Sequence, residues 1–207
     1  MMRRDECLKV LARHHTDQIV IPVYQAAFEW RTIKPEALTY LGTGAMGQAS
    51  SHGLGMALGR PDKRVIVIDG DGSLLMNLGS LVTIAEAAPR NLMHFVCQNN
   101  TYEANGFHPI PGANKVSFAG FARAAGIEKV YEFDELADFN QRIGAVLAET
   151  GPVFVVLKVV AGEHYPQDWS VIHSGTLRQQ FAEAFTKSYL RGPRLKRPDR
   201  RNIPPQP

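Results

Sequence analysis

The chain has 207 residues, of which 44% are hydrophobic and 21% charged, and its formal net charge is +3. This length allows one sizeable α/β domain, and two cysteines are too few for a disulfide scaffold. The positive charge comes from residues 191–207, which hold six Arg or Lys residues, one Asp and five prolines. The remainder is slightly acidic, which argues against a nucleic-acid-binding face. We expect a folded domain over 1–190 and a disordered tail over 191–207. The alternative for the tail is a strap across a partner subunit.

The N-terminal segment MMRRDECLKV has no continuous apolar run and so lacks the pattern of a secretory signal. No stretch of the sequence approaches the roughly 18 apolar residues of a membrane span. Cys97 lies in an apolar run, where a buried, inert thiol is expected. These features predict a cytoplasmic protein.

Hydrophobic patterns predict helices that alternate with buried strands along the whole chain. Helices are predicted over 3–14, 48–58, 73–88, 117–125, 135–149 and 176–189, and strands over 18–23, 64–69, 92–97, 129–131 and 153–160. The helix over 48–58 is rich in small residues, which favours close packing against its neighbours. The alternation predicts a three-layer α/β/α fold with a mostly parallel central sheet. In such sheets ligands bind at the carboxyl ends of the strands, here after Leu41, Ile68 and Val96.

The strongest motif is Gly70-Asp71-Gly72-Ser73, which joins a predicted strand directly to a predicted helix. Glycines let backbone N–H groups approach an anion, and a helix N-terminus adds positive potential. Asp71 would repel a phosphate unless a divalent cation lay between them. Asn99 follows the next strand, 28 positions later, and can supply a second oxygen ligand. Mg²⁺ takes such oxygens together with those of phosphate and water.

These residues resemble the thiamine diphosphate motif, in which a GDG sequence is followed, one helix and one strand later, by an asparagine. The resemblance is closest to the β subunits, or second halves, of sulfopyruvate and phosphonopyruvate decarboxylases. It covers residues 3–162, and the matching pieces are Gly44-Ala45-Met46-Gly47, residues 69–76 and Asn91-Leu92-Met93-His94.

The resemblance implies that Asp71, the Asn99 side chain and the Thr101 carbonyl bind Mg²⁺. Asn100 is the alternative ligand, because such enzymes commonly use the second asparagine of a pair. Many members carry Tyr or His three residues after the ligand, and Tyr102 fits that spacing for Asn99. We therefore predict Asn99.

The same resemblance implies how thiamine diphosphate would be held. Gly70, Gly72 and Ser73 would contact the diphosphate. The Gly44 carbonyl would accept a hydrogen bond from the cofactor's amino group, and Met46 would wedge between its two rings.

The reaction that the resemblance implies is decarboxylation of a short 2-oxoacid with an anionic tail, giving an aldehyde and CO₂. The glutamate that activates the pyrimidine belongs to a separate domain in this family. We expect a pyrimidine-binding α subunit to supply it, in an α2β2 heterotetramer.

Four further polar residues have weaker assignments. His52 is interpreted as structural or as part of the pocket rim. Glu103, Asn105 and His108 either face the substrate or belong to an ordinary surface loop. The loop 106–110 and the segment 162–165 depart from the related sequences, which leaves the substrate open.

Three other functions compete with this interpretation. Gly42, Gly44 and Gly47 fit the G-x-G-x-x-G pattern of dinucleotide-binding proteins, with Asp69 as the later acid. That pattern leaves Asp71 and its neighbours unexplained. Another thiamine diphosphate enzyme, either a carboligase or an oxoacid oxidoreductase, is a second alternative. A non-catalytic cofactor-binding protein is the third.

Overall fold

The computed structural model describes residues 1–35, 38–41, 46–162 and 164–190. Its strands are β1 (Met2–Arg3), β2 (Ile19–Pro22), β3 (Val65–Gly70), β4 (Leu92–Gln98), β5 (Thr101–Tyr102), β6 (His108–Pro109), β7 (Lys129–Phe133) and β8 (Val153–Val160). Its helices are α1 (Arg4–Arg13), α2 (Tyr24–Ile33), α3 (Ala49–Gly59), α4 (Asp71–Leu75), α5 (Ser80–Ala87), α6 (Phe118–Ala124), α7 (Leu136–Ala148), α8 (Trp169–Ile172) and α9 (Gly175–Leu190).

Six of the strands form one parallel sheet. Strands β2, β3, β4 and β8 lie side by side, and β7 and β1 both pair with β8. The register sets Ile68 beside Phe95, and Phe95 beside Val155. The short strands β5 and β6 form a separate antiparallel pair. The predicted α/β fold with a mostly parallel sheet is confirmed.

The core lies on both faces of this sheet, because successive strand residues point to opposite sides. One cluster packs Ile66, Ile68 and Phe95 against α1, α2 and α7. The other packs Val65, Val67 and neighbouring strand residues against α3, α5, α6 and α9. The molecule thus has the three layers that the alternating pattern predicts.

The packing of α3 on the sheet is close, as its small residues predict. A Cβ atom built on Gly53 would lie 2.2 Å from Cγ2 of Val67. Asn91, at the start of β4, points its side-chain N–H₂ at the carbonyls of Ala57, Arg60 and Lys63. The end of α3 is thereby tied to the central strand.

Two parts of the sequence interpretation need correction. The single helix predicted over 73–88 is wrong: α4 ends at Leu75 and α5 begins at Ser80. Asn77 in the intervening turn uses its side chain to bind the Gly47 carbonyl and the Ser51 hydroxyl. Helix α2 was missed altogether.

Two of the sequence predictions concern residues outside the described part of the chain, namely Gly44 and the tail 191–207. In the described part no helix is long and apolar enough to cross a bilayer.

Gly53 and Gly55 provide a matched test of the close packing. We expect Gly53→Ala to destabilise the chain by roughly 1–3 kcal/mol, since the new methyl group overlaps Val67. Gly55→Ala meets no atom within 4 Å and should raise stability by about 0.5–1 kcal/mol, because alanine favours the helix. Urea unfolding of the two variants checks this, and equal stabilities would contradict it.

Candidate functional site

A cavity lies at the carboxyl ends of three adjacent strands. The segment after β2, the Gly70–Ser73 turn after β3 and the loop after β4 all line it. Met46, just before α3, also lines the cavity. The site is therefore where a parallel sheet is expected to bind its ligand.

Asp71 is the most constrained residue of the cavity and is only 2% exposed. Its Oδ1 accepts a hydrogen bond from the Gly72 N–H at 2.8 Å, and its Oδ2 accepts from the N–H groups of Asn99 and Asn100 at 2.9 and 2.6 Å. Burial nevertheless raises the pKa of Asp71 to about 6, because desolvation outweighs these three bonds. Among the described residues no cationic side chain pairs with this carboxylate.

In the loop after β4 the two candidate ligands, Asn99 and Asn100, have different surroundings. Asn99 lines the cavity, its Oδ1 accepts from the Thr101 N–H at 2.9 Å, and its Nδ2 donates to Glu103 at 3.1 Å. Asn100 has a positive φ of 62°, and its side chain accepts from Gln98 and from the backbone N–H of residue 114. It does not line the cavity. Asn99 and Thr101 thus line the cavity together, and the choice of Asn99 over Asn100 as a metal ligand stays a prediction.

The two glycines of the motif serve different purposes. A Cβ on Gly72 would lie 2.4 Å from the Tyr102 ring, so glycine is needed here for the ring to pack against the turn. A Cβ on Gly70 would meet only Ser73, at 3.9 Å. Packing therefore does not require a glycine at residue 70, and its absent side chain leaves room in the cavity.

Ser73 connects this turn to the upstream loop. It is 5% exposed, and its Oγ accepts a hydrogen bond from the Gly47 N–H at 3.0 Å. Because Gly47 directly follows Met46, this bond fixes Met46 beside the turn. The hydroxyl hydrogen of Ser73 has no acceptor among the described residues and could donate to an anion.

A buried ion cluster forms the far wall. The Arg4 guanidinium, on a residue 5% exposed, donates to both carboxylate oxygens of Glu29 at 2.7–3.1 Å and to both oxygens of Glu103. These contacts raise the pKa of Arg4 well above its ordinary value despite the opposing effect of burial. Burial raises the pKa of Glu29, and Arg4 opposes that shift. Two carboxylates share one guanidinium, so the cluster has a formal charge of −1.

The other predicted residues are divided between the cavity and its surroundings. Glu103 and Asn105 line it, whereas His108 is exposed on β6. His52 does not line it; its ring lies against Tyr40, with Nδ1 2.9 Å from the Gln48 carbonyl. We find no separate role for His52 in the site.

Sequence reasoning missed several residues that line the cavity. Tyr24, Gln25 and Ala26 lie at the start of α2, directly after β2. The rule that ligands bind after strand ends would have found them, had β2 been included among those ends. Arg4 and Glu29 had no local signal, since they lie 25 positions apart and Arg4 lies 99 positions from Glu103.

The donor set fits a magnesium ion. An ionised carboxylate offers about four lone-pair positions, and backbone N–H groups use three of those on Asp71. The amide oxygen of Asn99 also keeps one free position, since it accepts one bond. Hard oxygen ligands from two loops, beside a carboxylate short of positive charge, suit a hard divalent cation.

Comparison with known proteins decides the family. Residues 21–157 match the model of the C-terminal TPP binding domain of thiamine pyrophosphate enzymes. The chain belongs to the thiamine pyrophosphate enzyme family. The Gly70–Ser73 turn and Asn99 both lie inside the matched range.

Two curated relatives show how much of such proteins the chain spans. It is 35% identical over 163 residues to the sulfopyruvate decarboxylase subunit beta of Methanothermobacter thermautotrophicus, covering 78% of this chain and 84% of that one. It is 40% identical over 119 residues to the phosphonopyruvate decarboxylase of Streptomyces viridochromogenes, covering 58% of this chain and 30% of that protein. The chain thus matches under a third of the phosphonopyruvate decarboxylase.

The fold agrees with solved thiamine enzymes. The benzoylformate decarboxylase of Polynucleobacter necessarius superposes with a TM-score of 0.65 at 17% identity, covering 80% of this chain and 34% of that one. At this identity the likeness concerns the fold alone.

Gly70 and Gly72 generate a paired prediction. We expect Gly72→Ala to destabilise the chain by about 1–3 kcal/mol, because its methyl group overlaps the Tyr102 ring. Gly70→Ala should leave stability within about 0.5 kcal/mol of the parent but weaken thiamine diphosphate binding, since its methyl group enters the cavity. Urea unfolding and cofactor titration measure the two effects. A Gly70→Ala variant that binds cofactor normally would show that this glycine does not face the diphosphate.

Proposed function

We propose that this chain is the diphosphate-binding subunit of a thiamine diphosphate- and Mg²⁺-dependent decarboxylase of short 2-oxoacids. The observation that carries the proposal is the buried Asp71 carboxylate, which is bonded to the Asn99 loop and has no cationic partner in the part of the chain that the structure describes. Family membership supports the cofactor. The decarboxylase names of the relatives support the reaction, which converts a 2-oxoacid to an aldehyde and CO₂.

In this proposal the metal ligands are the Asp71 carboxylate, the Asn99 side-chain oxygen and the Thr101 carbonyl. The Gly70–Ser73 turn holds the diphosphate: its glycines allow close approach, and backbone N–H groups at the start of α4 favour an anion. Gly44 and Met46 contact the organic part of the cofactor. When bound, thiamine diphosphate supplies the electron sink for loss of CO₂.

The glutamate that activates the cofactor is proposed to belong to a pyrimidine-binding α subunit, in an α2β2 heterotetramer. The support is that the Methanothermobacter relative, 84% of which this chain covers, is named as a β subunit. The two cysteines are buried as free thiols, which is compatible with a reducing compartment. A cytoplasmic location is therefore part of the proposal.

The relatives support only the 2-oxoacid part of the substrate, where the reaction occurs. Among the described residues that line the cavity, Arg4 alone carries a positive charge, and Glu29 and Glu103 engage it. It is thus a poor receptor for a sulfonate or phosphonate. If the substrate has such a tail, we propose that groups other than the described lining of this cavity recognise it.

The reaction and the partner can be tested together. The complex would be purified from its native host through this chain and assayed with a panel of 2-oxoacids for CO₂ and aldehyde. We expect CO₂ and aldehyde from the complex and almost none from the lone chain. Carbon–carbon bond formation in place of aldehyde would identify a carboligase, and full activity of the lone chain would contradict the partner.

The metal ligands give a prediction with a built-in control. Asp71→Asn and Asn99→Ala should each weaken Mg²⁺-dependent cofactor binding by about 10-fold or more, since each removes an oxygen ligand or its charge. Asn100→Gly should bind cofactor normally, because glycine tolerates the positive φ and residue 100 does not line the cavity. Titration with Mg²⁺ at fixed thiamine diphosphate measures this. A selective loss in Asn100→Gly would transfer the ligand role to Asn100.

A further inference from the structure

The buried ion cluster contacts the metal site at one point. Glu103 Oε2 accepts a hydrogen bond from Asn99 Nδ2 at 3.1 Å, and the same carboxylate is gripped by Arg4. Arg4 is held in turn by Glu29 of α2. A chain of charged hydrogen bonds therefore runs from two helices on one face of the sheet to the side chain proposed to bind the cation.

This contact affects which end of the Asn99 amide, the oxygen or the nitrogen, is available to a cation. The two ends of its amide have almost the same shape, but only the oxygen can bind a cation, and the nitrogen only donates. A carboxylate accepts and cannot donate, so Glu103 stabilises only the orientation with Nδ2 toward it. At the other end the Thr101 N–H donates to Oδ1 at 2.9 Å and selects the same orientation.

The carboxylate can select the orientation only because it is itself fixed. Arg4 and Glu29 are 5% and 3% exposed, and the Glu103 side chain is 12% exposed. Arg4 contacts both oxygens of Glu103, which fixes the plane of that carboxylate. A mobile surface glutamate would lose more side-chain entropy in holding the same bond.

We propose that Glu103, clamped by Arg4, is a positioning residue that holds the Asn99 amide with its oxygen available to the cation. This inference rests on the proposed function, since it takes Asn99 as a metal ligand. It differs from a general electrostatic role. The cluster's negative charge would attract a cation whether or not the Asn99 amide were oriented, whereas positioning acts through one hydrogen bond.

Two substitutions at one position separate positioning from charge. Glu103→Ala and Glu103→Gln remove the same charge. In Glu103→Gln the amide oxygen can take the place of Oε2, which accepts from both Arg4 and Asn99 Nδ2, so Arg4 keeps an acceptor facing Asn99. We expect Glu103→Ala to weaken Mg²⁺ affinity by about 10- to 100-fold, as loss of a residue that orients a metal ligand typically does. The Mg²⁺ affinity of Glu103→Gln should stay within about 3-fold of the parent, because this variant only weakens one hydrogen bond, by replacing a charged acceptor with a neutral one. Equal losses of Mg²⁺ affinity in both variants would overturn the positioning role and show that the charge of Glu103 is what matters.

The measurement is a Mg²⁺ titration of the complete complex at saturating thiamine diphosphate, followed by cofactor-dependent tryptophan fluorescence and by calorimetry, with no substrate present. Glu132→Ala is the matched control. It also removes a glutamate paired with a basic side chain, Lys158, but that pair is 38% exposed on both sides and lies outside the cavity. Its Mg²⁺ affinity should equal that of the parent.

A double variant links the effect to Asn99. If Glu103 acts through the amide, adding Glu103→Ala to Asn99→Ala should weaken Mg²⁺ binding no further. Additive losses would overturn the proposal. If Asp71→Asn and Asn99→Ala impair Mg²⁺ binding while Glu103→Ala does not, the positioning role fails and the proposed function stands. If Mg²⁺ binding survives Asp71→Asn and Asn99→Ala as well, the proposed function itself fails.

Discussion

The site depends on one buried carboxylate that joins two strand ends. Asp71 accepts backbone N–H groups from its own turn and from the loop after β4, and hydrogen bonds to a charged acceptor contribute about 1.5–3 kcal/mol each. They fix the separation of the two loops, yet burial still raises the pKa of Asp71 to about 6. The fold therefore positions this carboxylate fully and neutralises it incompletely. That imbalance is what a divalent cation corrects.

The arrangement above the carboxylate follows from small residues and from a broken helix. Gly53 lets α3 approach β3, which brings the preceding Gly47 over the Gly70–Ser73 turn. Gly47 is then held from two sides, by Ser73 at its N–H and by Asn77 at its carbonyl. Asn77 can reach it because the chain leaves the helical path between α4 and α5. The break that the sequence interpretation missed is thus part of how the cavity is built.

What the sequence predicts well is local. Strands β3, β4 and β8 are mostly apolar. The Gly70–Ser73 turn follows β3 and Asn99 follows β4, so the pattern predicted the sheet and placed these residues at one edge of it. Helix α2 was missed because it has no start signal: Val23 caps it without a side-chain hydrogen bond. The contact of Arg4 with Glu29 and Glu103 joins residues that are far apart in the sequence, so no local pattern predicts it.

The balance of charge in the cavity bears on how the proposed diphosphate would be held. Asp69, Asp71 and Glu103 line it, and Arg4 is the only cation among the described residues that do so. A diphosphate approaching this wall alone would meet an excess of buried negative charge, and in a low-dielectric site that repulsion is large. The N–H groups at the start of α4 belong to a helix of five residues, so they add only a short run of favourable dipoles. In the proposed function the cation is therefore a condition for holding the diphosphate, and we expect the residues that orient its ligands to govern cofactor affinity.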